Sequence, residues 1–133
     1  MTKTYSVILI EDSRDDVFLV REALASAGIK CQITVIEDGG NATSVLDGLD
    51  VQDLFLVDLN LPKAGGFEII QMLKTHKQAQ GVPIIVMSSS DAKRDRAKAE
   101  GLKVSGYFCK PLELDEFMKL GAVVRTVLER AGG

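Results

Sequence analysis

The stretch that determines the fold is YSVILIED, residues 5–12, in which a largely apolar run leads directly into two acids. Comparable short runs recur along the chain: QITVI (32–36), LFLV (54–57), PIIVM (83–87) and GYFC (106–109). Three of the five runs are almost continuously aliphatic, which is typical of strands that are covered on both faces. Each run therefore predicts a strand of a parallel sheet.

The segments between these runs have the length and apolar spacing of helices. In the first, apolar residues recur every three or four positions between Ser13, a predicted N-cap, and Gly28, a predicted stop. Further helices are predicted at about Asn41–Leu49, after Gly66, and from Phe117 to Gly132. Strand and helix alternate five times, which predicts an α/β fold with a five-stranded parallel sheet and helices on both faces.

The fourth helical segment, Ser90–Gly101, differs from the others because alanine is its largest apolar residue. Burial of apolar surface stabilises by roughly 25 cal/mol per Å², so we expect this helix to be weakly anchored. Two interpretations remain open. The segment is either an ordinary solvated helix or an element that shifts between two arrangements.

The composition is that of one globular domain. The chain has 133 residues, of which 46% are apolar and 26% charged, with a net charge of −3. This balance argues against a nucleic-acid binder that relies on positive charge, and no apolar run is long enough for a membrane span. Two cysteines, Cys31 and Cys109, fit a reducing compartment, so we expect a cytoplasmic protein. We expect residues 1–133 to form a single domain, with a core at about 5–130 and no output domain.

Polar residues stand where the predicted strands end. Glu11 and Asp12 follow the first strand, Asp58 the third, Ser88 the fourth and Lys110 the fifth. In an open parallel sheet these ends share one edge, so the side chains should converge. Clustered carboxylates repel one another unless a cation lies among them, and oxygen ligands favour a hard cation such as Mg²⁺.

This combination of residues suits chemistry at phosphorus. A carboxylate beside Mg²⁺ can attack phosphorus to give an aspartyl phosphate, a role that fits Asp58. Ser88 and Lys110 would then hydrogen-bond or neutralise the phosphoryl oxygens, and Asn60 can offer its backbone carbonyl to the metal. Each residue alone has an ordinary structural explanation, so the prediction depends on their coincidence at one edge.

The chain resembles the receiver domain of two-component response regulators, of the CheY-like type. The matching stretches are VILIEDS (7–13), LFLVDLNLPKAGG (54–66), PIIVMSSS (83–90) and GYFCKPL (106–112). The spacing also agrees, because Ser88 lies 30 residues after Asp58 and Lys110 lies 22 residues after Ser88. The resemblance implies a flavodoxin-like fold with strand order 2-1-3-4-5.

The resemblance also implies roles for the residues at the strand ends. Asp58 would accept a phosphoryl group from a sensor histidine kinase or a histidine phosphotransfer protein. Asp12, Asp58 and the Asn60 backbone carbonyl would bind Mg²⁺, and Glu11 would assist, in part through water. The chain would then be a signalling switch that binds a downstream protein or relays phosphate, rather than an enzyme.

The switching elements follow from the same resemblance. Ser88 would move toward the phosphoryl group, Lys110 would pair with it, and Tyr107 would turn inward as the switch aromatic. The family's pattern also implies a cis bond before Pro111. The Ser90–Gly101 helix and the strand after it would form the output face.

Two stretches, EDSRDDVFLVREAL (11–24) and LNLPKAGGFEII (59–70), resemble stand-alone regulators, some of which are paired with bacterial phytochrome kinases. Members of that subgroup often dimerise, so we expect a weak homodimer. Met118 and Val123 in the last helix either form a second apolar surface or complete the core.

Three alternatives compete with this interpretation. A Mg²⁺-dependent phosphohydrolase with an aspartate nucleophile is disfavoured because Asn60 stands where such enzymes have a second acid. A flavodoxin-like cofactor binder would need a phosphate-cradling glycine loop, which this sequence lacks. A degenerate receiver would bind its partners without being phosphorylated.

Overall fold

The computed structural model describes residues 3–61, 65–89 and 93–132. Five strands alternate with six helices in these ranges. In chain order they are β1 (Tyr5–Ile10), α1 (Arg14–Ser26), β2 (Cys31–Ile36), α2 (Ala42–Asp47), β3 (Leu54–Asp58), α3 (Gly66–Thr75), β4 (Ile84–Ser88), α4 (Lys93–Gly101), β5 (Gly106–Cys109), α5 (Leu114–Phe117) and α6 (Leu120–Gly132).

All five strands belong to one parallel sheet with the order β2-β1-β3-β4-β5. The register pairs Ile10 with Val57 and Ser88 with Cys109, so the strands end nearly level with one another. Strands β3 and β4 are buried along their whole length, which explains their continuous apolar sequence. The predicted fold class and strand order are confirmed.

The helices cover both faces of the sheet and create two apolar cores. One face packs against α1, α5 and α6, and its core includes Val7, Leu24 and Leu128. The other face packs against α2, α3 and α4, and its core includes Ile8 and Ile70. Successive residues of β1 contribute to opposite cores because side chains alternate across a strand.

The predicted boundaries of α1 are confirmed. The Ser13 hydroxyl accepts a hydrogen bond from the Asp16 backbone N–H at 3.3 Å, which satisfies one of the donors at the amino end of the helix. Gly28 follows the helix with a φ of +74°, a left-handed conformation that favours glycine. The second helix is shorter than its predicted range of Asn41–Leu49. It begins at Ala42, because a 3-10 turn at Gly39–Asn41 precedes it, and it ends at Asp47.

The last helical region is divided, although the sequence predicted one helix from Phe117 to Gly132. Helix α5 ends at Phe117, and α6 begins at Leu120. Met118 keeps near-helical angles, with φ −62° and ψ −19°, so the apolar periodicity continues across the break. Met118 and Val123 are partly buried and pack against the core, so they do not form a separate apolar surface.

Helix α4 has the small apolar content that its sequence predicted. Ala99 is its only buried residue, whereas α6 buries five. The predicted start of this helix, residues 90–92, lies outside the described residues. Within the described ranges, the helices all lack the length and apolar content needed to cross a bilayer.

The prediction of a cis peptide bond before Pro111 is wrong. Peptide bonds in the described part of the chain, including the one between Lys110 and Pro111, are all trans. The trans form is the more stable one even before proline, by about 0.5–1 kcal/mol.

Candidate functional site

Backbone hydrogen bonds of the sheet continue one residue past β1, β3 and β5, and they hold the backbone from which the site residues project. Glu11 N–H donates to the Ile36 carbonyl at 3.0 Å, and Lys110 N–H donates to the Ser88 carbonyl at 2.7 Å. Leu59 N–H donates to the Met87 carbonyl at 2.9 Å, immediately after Asp58. These bonds hold the predicted site residues at the carboxyl edge of the sheet, where side chains from distant parts of the sequence meet.

Three carboxylates converge at this edge. One oxygen from each of Glu11, Asp12 and Asp58 lies within 4.8 Å of the others. Glu11 and Asp58 are buried, with 0% and 3% exposed, whereas Asp12 is exposed and leaves the cluster open to solvent. A set of oxygen ligands that is partly open fits a hard divalent cation that retains water, so the residues present fit such an ion.

Asp58 is fixed by two contacts on different oxygens. Its Oδ1 accepts a hydrogen bond from the Asn60 backbone N–H at 3.0 Å, and its Oδ2 lies 3.2 Å from Lys110 Nζ. The Asn60 backbone therefore stands next to the acid, as the predicted metal site requires. That the Asn60 carbonyl is a ligand remains a prediction.

Gly66 holds the first turn of α3 against the backbone that follows Asp58. A Cβ atom at Gly66 would lie 2.5 Å from Leu59 Cα and 2.8 Å from the Asp58 carbonyl oxygen, too close for any other residue. Glycine therefore permits this approach of helix and strand end. The intervening residues 62–64, part of the quoted LNLPKAGG motif, lie outside the described residues.

Lys110 is the cation at the centre of the cluster, and only 10% of its side chain is exposed. Its Nζ lies 2.7 Å from Glu11 Oε1 and 2.7 Å from Asp16 Oδ2, in addition to the contact with Asp58. Burial by itself would lower the pKa of Lys110. Hydrogen bonds to Asp16 and Glu11 and the charge of Asp58 outweigh burial and hold the pKa above its usual value.

Glu11 shows the opposite balance. Burial, followed by the neighbouring Asp58, raises the pKa of Glu11 to about 7, although Lys110 acts to lower it. Its second oxygen, Oε2, accepts a hydrogen bond from the Ser13 backbone N–H at 3.2 Å. Negative charge is thus crowded here, and a further positive charge would favour the ionised carboxylates.

Asp16 belongs to this site, although it is not among the site residues predicted from the sequence. Acids in the first turn of a helix are common because they interact favourably with the helix dipole, which gave Asp16 an ordinary explanation. A signal was nevertheless present. Asp16 comes one helical turn after Asp12, at the end of α1 that starts from the same sheet edge.

The other side of the site is a chain of neutral hydrogen bonds. Ser88, which is fully buried, donates from Oγ to Asn60 Oδ1 at 3.3 Å, and Asn60 Nδ2 donates to Ser89 Oγ at 3.1 Å. Burial raises the pKa of Tyr107, and the neighbouring Ser88 side chain acts to lower it. The guanidinium of Arg96 in α4 lies 4.7 Å from the centre of the Tyr107 ring. Ser88 is therefore connected through Tyr107 to α4.

Over most of its length the chain matches one family of proteins. The family model of the response regulator receiver domain matches residues 7–121. The chain belongs to this family. A receiver domain is a signalling module rather than a conventional enzyme, so the family assignment sets aside the phosphohydrolase and the flavin-type cofactor binder.

Two curated relatives illustrate the match. Response regulator Rcp1 of Synechocystis sp. is 29% identical over 120 residues, which cover 86% of this chain and 82% of Rcp1. The probable methanogenesis regulatory protein FilR2 of Methanothrix harundinacea is 26% identical over 120 residues, covering 86% of this chain and 77% of FilR2.

Solved structures agree with these relatives. The phosphorylated cyanobacterial phytochrome response regulator RcpA superimposes with a TM-score of 0.85 at 26% identity, over 98% of both chains. The Mn²⁺-bound form of Rcp1 gives a TM-score of 0.82 at 28% identity, over 94% of this chain and 95% of Rcp1. The predicted resemblance to receiver domains, and within them to phytochrome response regulators, is confirmed. The acidic cluster together with the Mn²⁺-bound relative supports divalent-metal binding.

Proposed function

We propose that this receiver domain is a phosphorylation-dependent switch in which Asp58 accepts a phosphoryl group from a histidine kinase or a histidine phosphotransfer protein. One observation carries the proposal. The Asp58 carboxylate lies within 4.8 Å of the carboxylates of Glu11 and Asp12 and 3.2 Å from Lys110 Nζ. A nucleophilic oxygen, a set of metal ligands and a fixed ammonium are the parts that phosphoryl transfer to an acid requires.

The transfer step is a displacement at phosphorus. A carboxylate oxygen of Asp58 forms a bond to phosphorus while the phosphorus–nitrogen bond of the donor phosphohistidine breaks, and the imidazole nitrogen keeps that electron pair. Lys110, already 3.2 Å from Asp58 Oδ2, supplies positive charge to the transferred oxygens. Glu11, Asp12, Asp58 and the Asn60 carbonyl would hold Mg²⁺. When bound, the ion neutralises part of the charge that these carboxylates and the phosphoryl group bring together.

Switching would begin at Ser88. Its hydroxyl is a donor that now serves Asn60, and the new phosphoryl oxygens are stronger acceptors because they are charged. If Ser88 turns to them, the surroundings of the neighbouring Tyr107 side chain change, and Tyr107 is in contact with Arg96 of α4. The surface of α4 and β5 would then be what a downstream protein recognises.

The relatives guide the choice of partner. Because several similar structures are phytochrome response regulators, a kinase of the bacterial phytochrome type is our first candidate for the donor. We expect the protein to be cytoplasmic and to meet the kinase domain of such a sensor there. The predicted weak homodimer also stays part of the proposal.

The deciding experiment is the intact mass of the protein after incubation with acetyl phosphate and Mg²⁺. We expect a gain of one phosphoryl group that disappears when the metal is chelated and in the variant Asp58→Asn. Asp115→Asn, which changes an exposed acid in α5, is the matched control and should be phosphorylated normally.

The result also separates the proposal from its main competitor. A folded wild-type protein that gains no mass with Mg²⁺ would be a degenerate receiver, which binds partners without phosphorylation. A gain that persists in Asp58→Asn would place the phosphoryl group on another residue.

A further inference from the structure

Asp16 makes one of the two shortest contacts to the ammonium of Lys110. Its Oδ2 lies 2.7 Å from Lys110 Nζ, equal to the Glu11 contact and shorter than the 3.2 Å to Asp58. An ammonium has three hydrogen-bond donors, and three carboxylates surround this one. Lys110 is therefore drawn toward the side of the site formed by α1.

The backbone around Asp16 is fixed, so its position is defined by the fold. The Asp16 N–H donates to the Ser13 hydroxyl at the amino end of α1, and the Ser13 N–H donates to Glu11 Oε2. The side chain of Asp16 is 27% exposed, compared with 0% for Glu11. If a neutral residue replaced Asp16, the buried Lys110 would still have Glu11 and Asp58 as partners, so no deeply buried charge would be left unpaired.

We propose that Asp16 is a positioning residue that holds Lys110 toward α1 and so slows the phosphorylation of Asp58. The statement about rate rests on the proposed function, whereas the statement about Lys110 does not. Phosphorylation requires Lys110 to serve the transferred oxygens, and Asp16 competes with them for the same ammonium.

A second effect of Asp16 acts in the same direction. Asp16 Oδ2 and Asp58 Oδ2 share Lys110 Nζ, so they lie at most about 6 Å apart, close enough for Asp16 to repel an incoming phosphodonor dianion. Replacing Asp16 by asparagine keeps the shape of the side chain but removes the charge. We expect phosphorylation by acetyl phosphate to become about three- to tenfold faster, the size of effect that one unit charge has at this distance in water.

The first measurement follows the ammonium of Lys110 directly. The ¹⁵N and ¹H resonances of this group, and the exchange of its protons with water, are recorded by NMR without phosphodonor and assigned by their absence in Lys110→Met. Asp16→Asn should shift the resonances and speed the proton exchange. Asp16→Glu, which still reaches the ammonium, should restore both.

The matched control is Asp15→Asn, which removes the same charge from the same helical turn at an exposed position. We expect it to leave the Lys110 resonance unchanged and to alter the phosphorylation rate less than twofold. An equal response to Asp15→Asn would show that the effect is one of general charge, and the proposal would be wrong.

Failure of the proposal and failure of the proposed function are distinguishable. Suppose that the wild-type protein gains no phosphoryl group, while Asp16→Asn shifts the Lys110 resonance and Asp15→Asn does not. Asp16 then positions Lys110, and the proposed phosphorylation of Asp58 is wrong. An unchanged Lys110 resonance in folded Asp16→Asn would overturn the positioning role, whatever happens to the rate. Should Asp16→Asn not fold, Asp16→Ser, which also removes the charge at this partly exposed position, takes its place, and an unchanged Lys110 resonance in it would overturn the positioning role.

Discussion

Helices α6 and α4 flank the same sheet, but very different amounts of apolar surface attach them to it. Helix α6 buries Leu120, Gly121, Val124, Val127 and Leu128. Helix α4 buries only Ala99. Since stabilisation follows buried apolar area, α6 is a fixed part of the core and α4 is held at its margin.

The contacts that do hold α4 are of another kind. Arg96 lies over the ring of Tyr107 at 4.7 Å, and Lys98 lies over the ring of Phe67 at 4.5 Å. Contacts of this type are worth about 0.5–1 kcal/mol each at exposed sites. A helix held largely in this way can be displaced at small cost, and one of these two ring contacts is with Tyr107, the neighbour of Ser88. A conformational change at the site is therefore transmitted to the surface more easily through α4 than through α6.

The largest effect is expected from the α6 core. Leu120→Ala removes a fully buried side chain and should lower the free energy of unfolding by about 2–5 kcal/mol, measured by urea denaturation. Leu114→Ala in α5, where the side chain is 57% exposed, is the matched control and should cost less than about 0.5 kcal/mol. Similar losses for the two variants would contradict the assignment of Leu120 to the core.

A smaller effect is expected where α6 approaches α1. A Cβ atom at Gly121 would lie 2.6 Å from Ala27 Cβ and 2.7 Å from the Ala23 carbonyl oxygen, so Gly121→Ala forces the helices apart. We expect a loss of about 1–3 kcal/mol in thermal or urea unfolding.

The matched glycine for this comparison is at the end of α4. Among the described residues, no atom outside the adjoining stretch of α4 lies within 4 Å of a Cβ built at Gly101, so Gly101→Ala should be neutral or stabilising by up to about 1 kcal/mol. Destabilisation by Gly101→Ala equal to that of Gly121→Ala would mean that α4 is packed as tightly as α6.

The smallest effect tests the attachment of α4 itself. Arg96→Gln removes the charge over Tyr107 and should lower the free energy of local opening of α4 by about 0.5–1 kcal/mol. Amide hydrogen exchange in α4 would then be roughly two- to fivefold faster, while exchange in α6 stays unchanged. Arg94→Gln, at an exposed position on the same helix, is the control. Equal acceleration by the two variants would show that general charge, rather than the ring contact, holds the helix.

The fold could be predicted because its determinants are local. Continuous aliphatic runs such as those of β3 and β4 occur where both faces of a strand are covered, and the polar residues after them mark one edge of the sheet. The weak attachment of α4 was equally visible, since a helix without large apolar residues has little to bury.

The contact between Asp16 and Lys110 could not be predicted, because it depends on the direction taken by a long side chain. These residues are 94 positions apart, and Asp16 already had a sufficient local explanation in the helix dipole. The break between α5 and α6 could not be predicted from the sequence either. Met118 remains nearly helical, so the apolar spacing does not register the interruption.

The two cores also differ in when a growing chain can complete them. The core on the α2, α3 and α4 face draws on residues from Ile8 to Tyr107, so its components all exist once β5 has been synthesised. The core on the other face joins Val7 and Leu24 to Val124 and Leu128. On the ribosome, the apolar face of α1 must therefore wait for nearly the whole chain before its partner α6 exists.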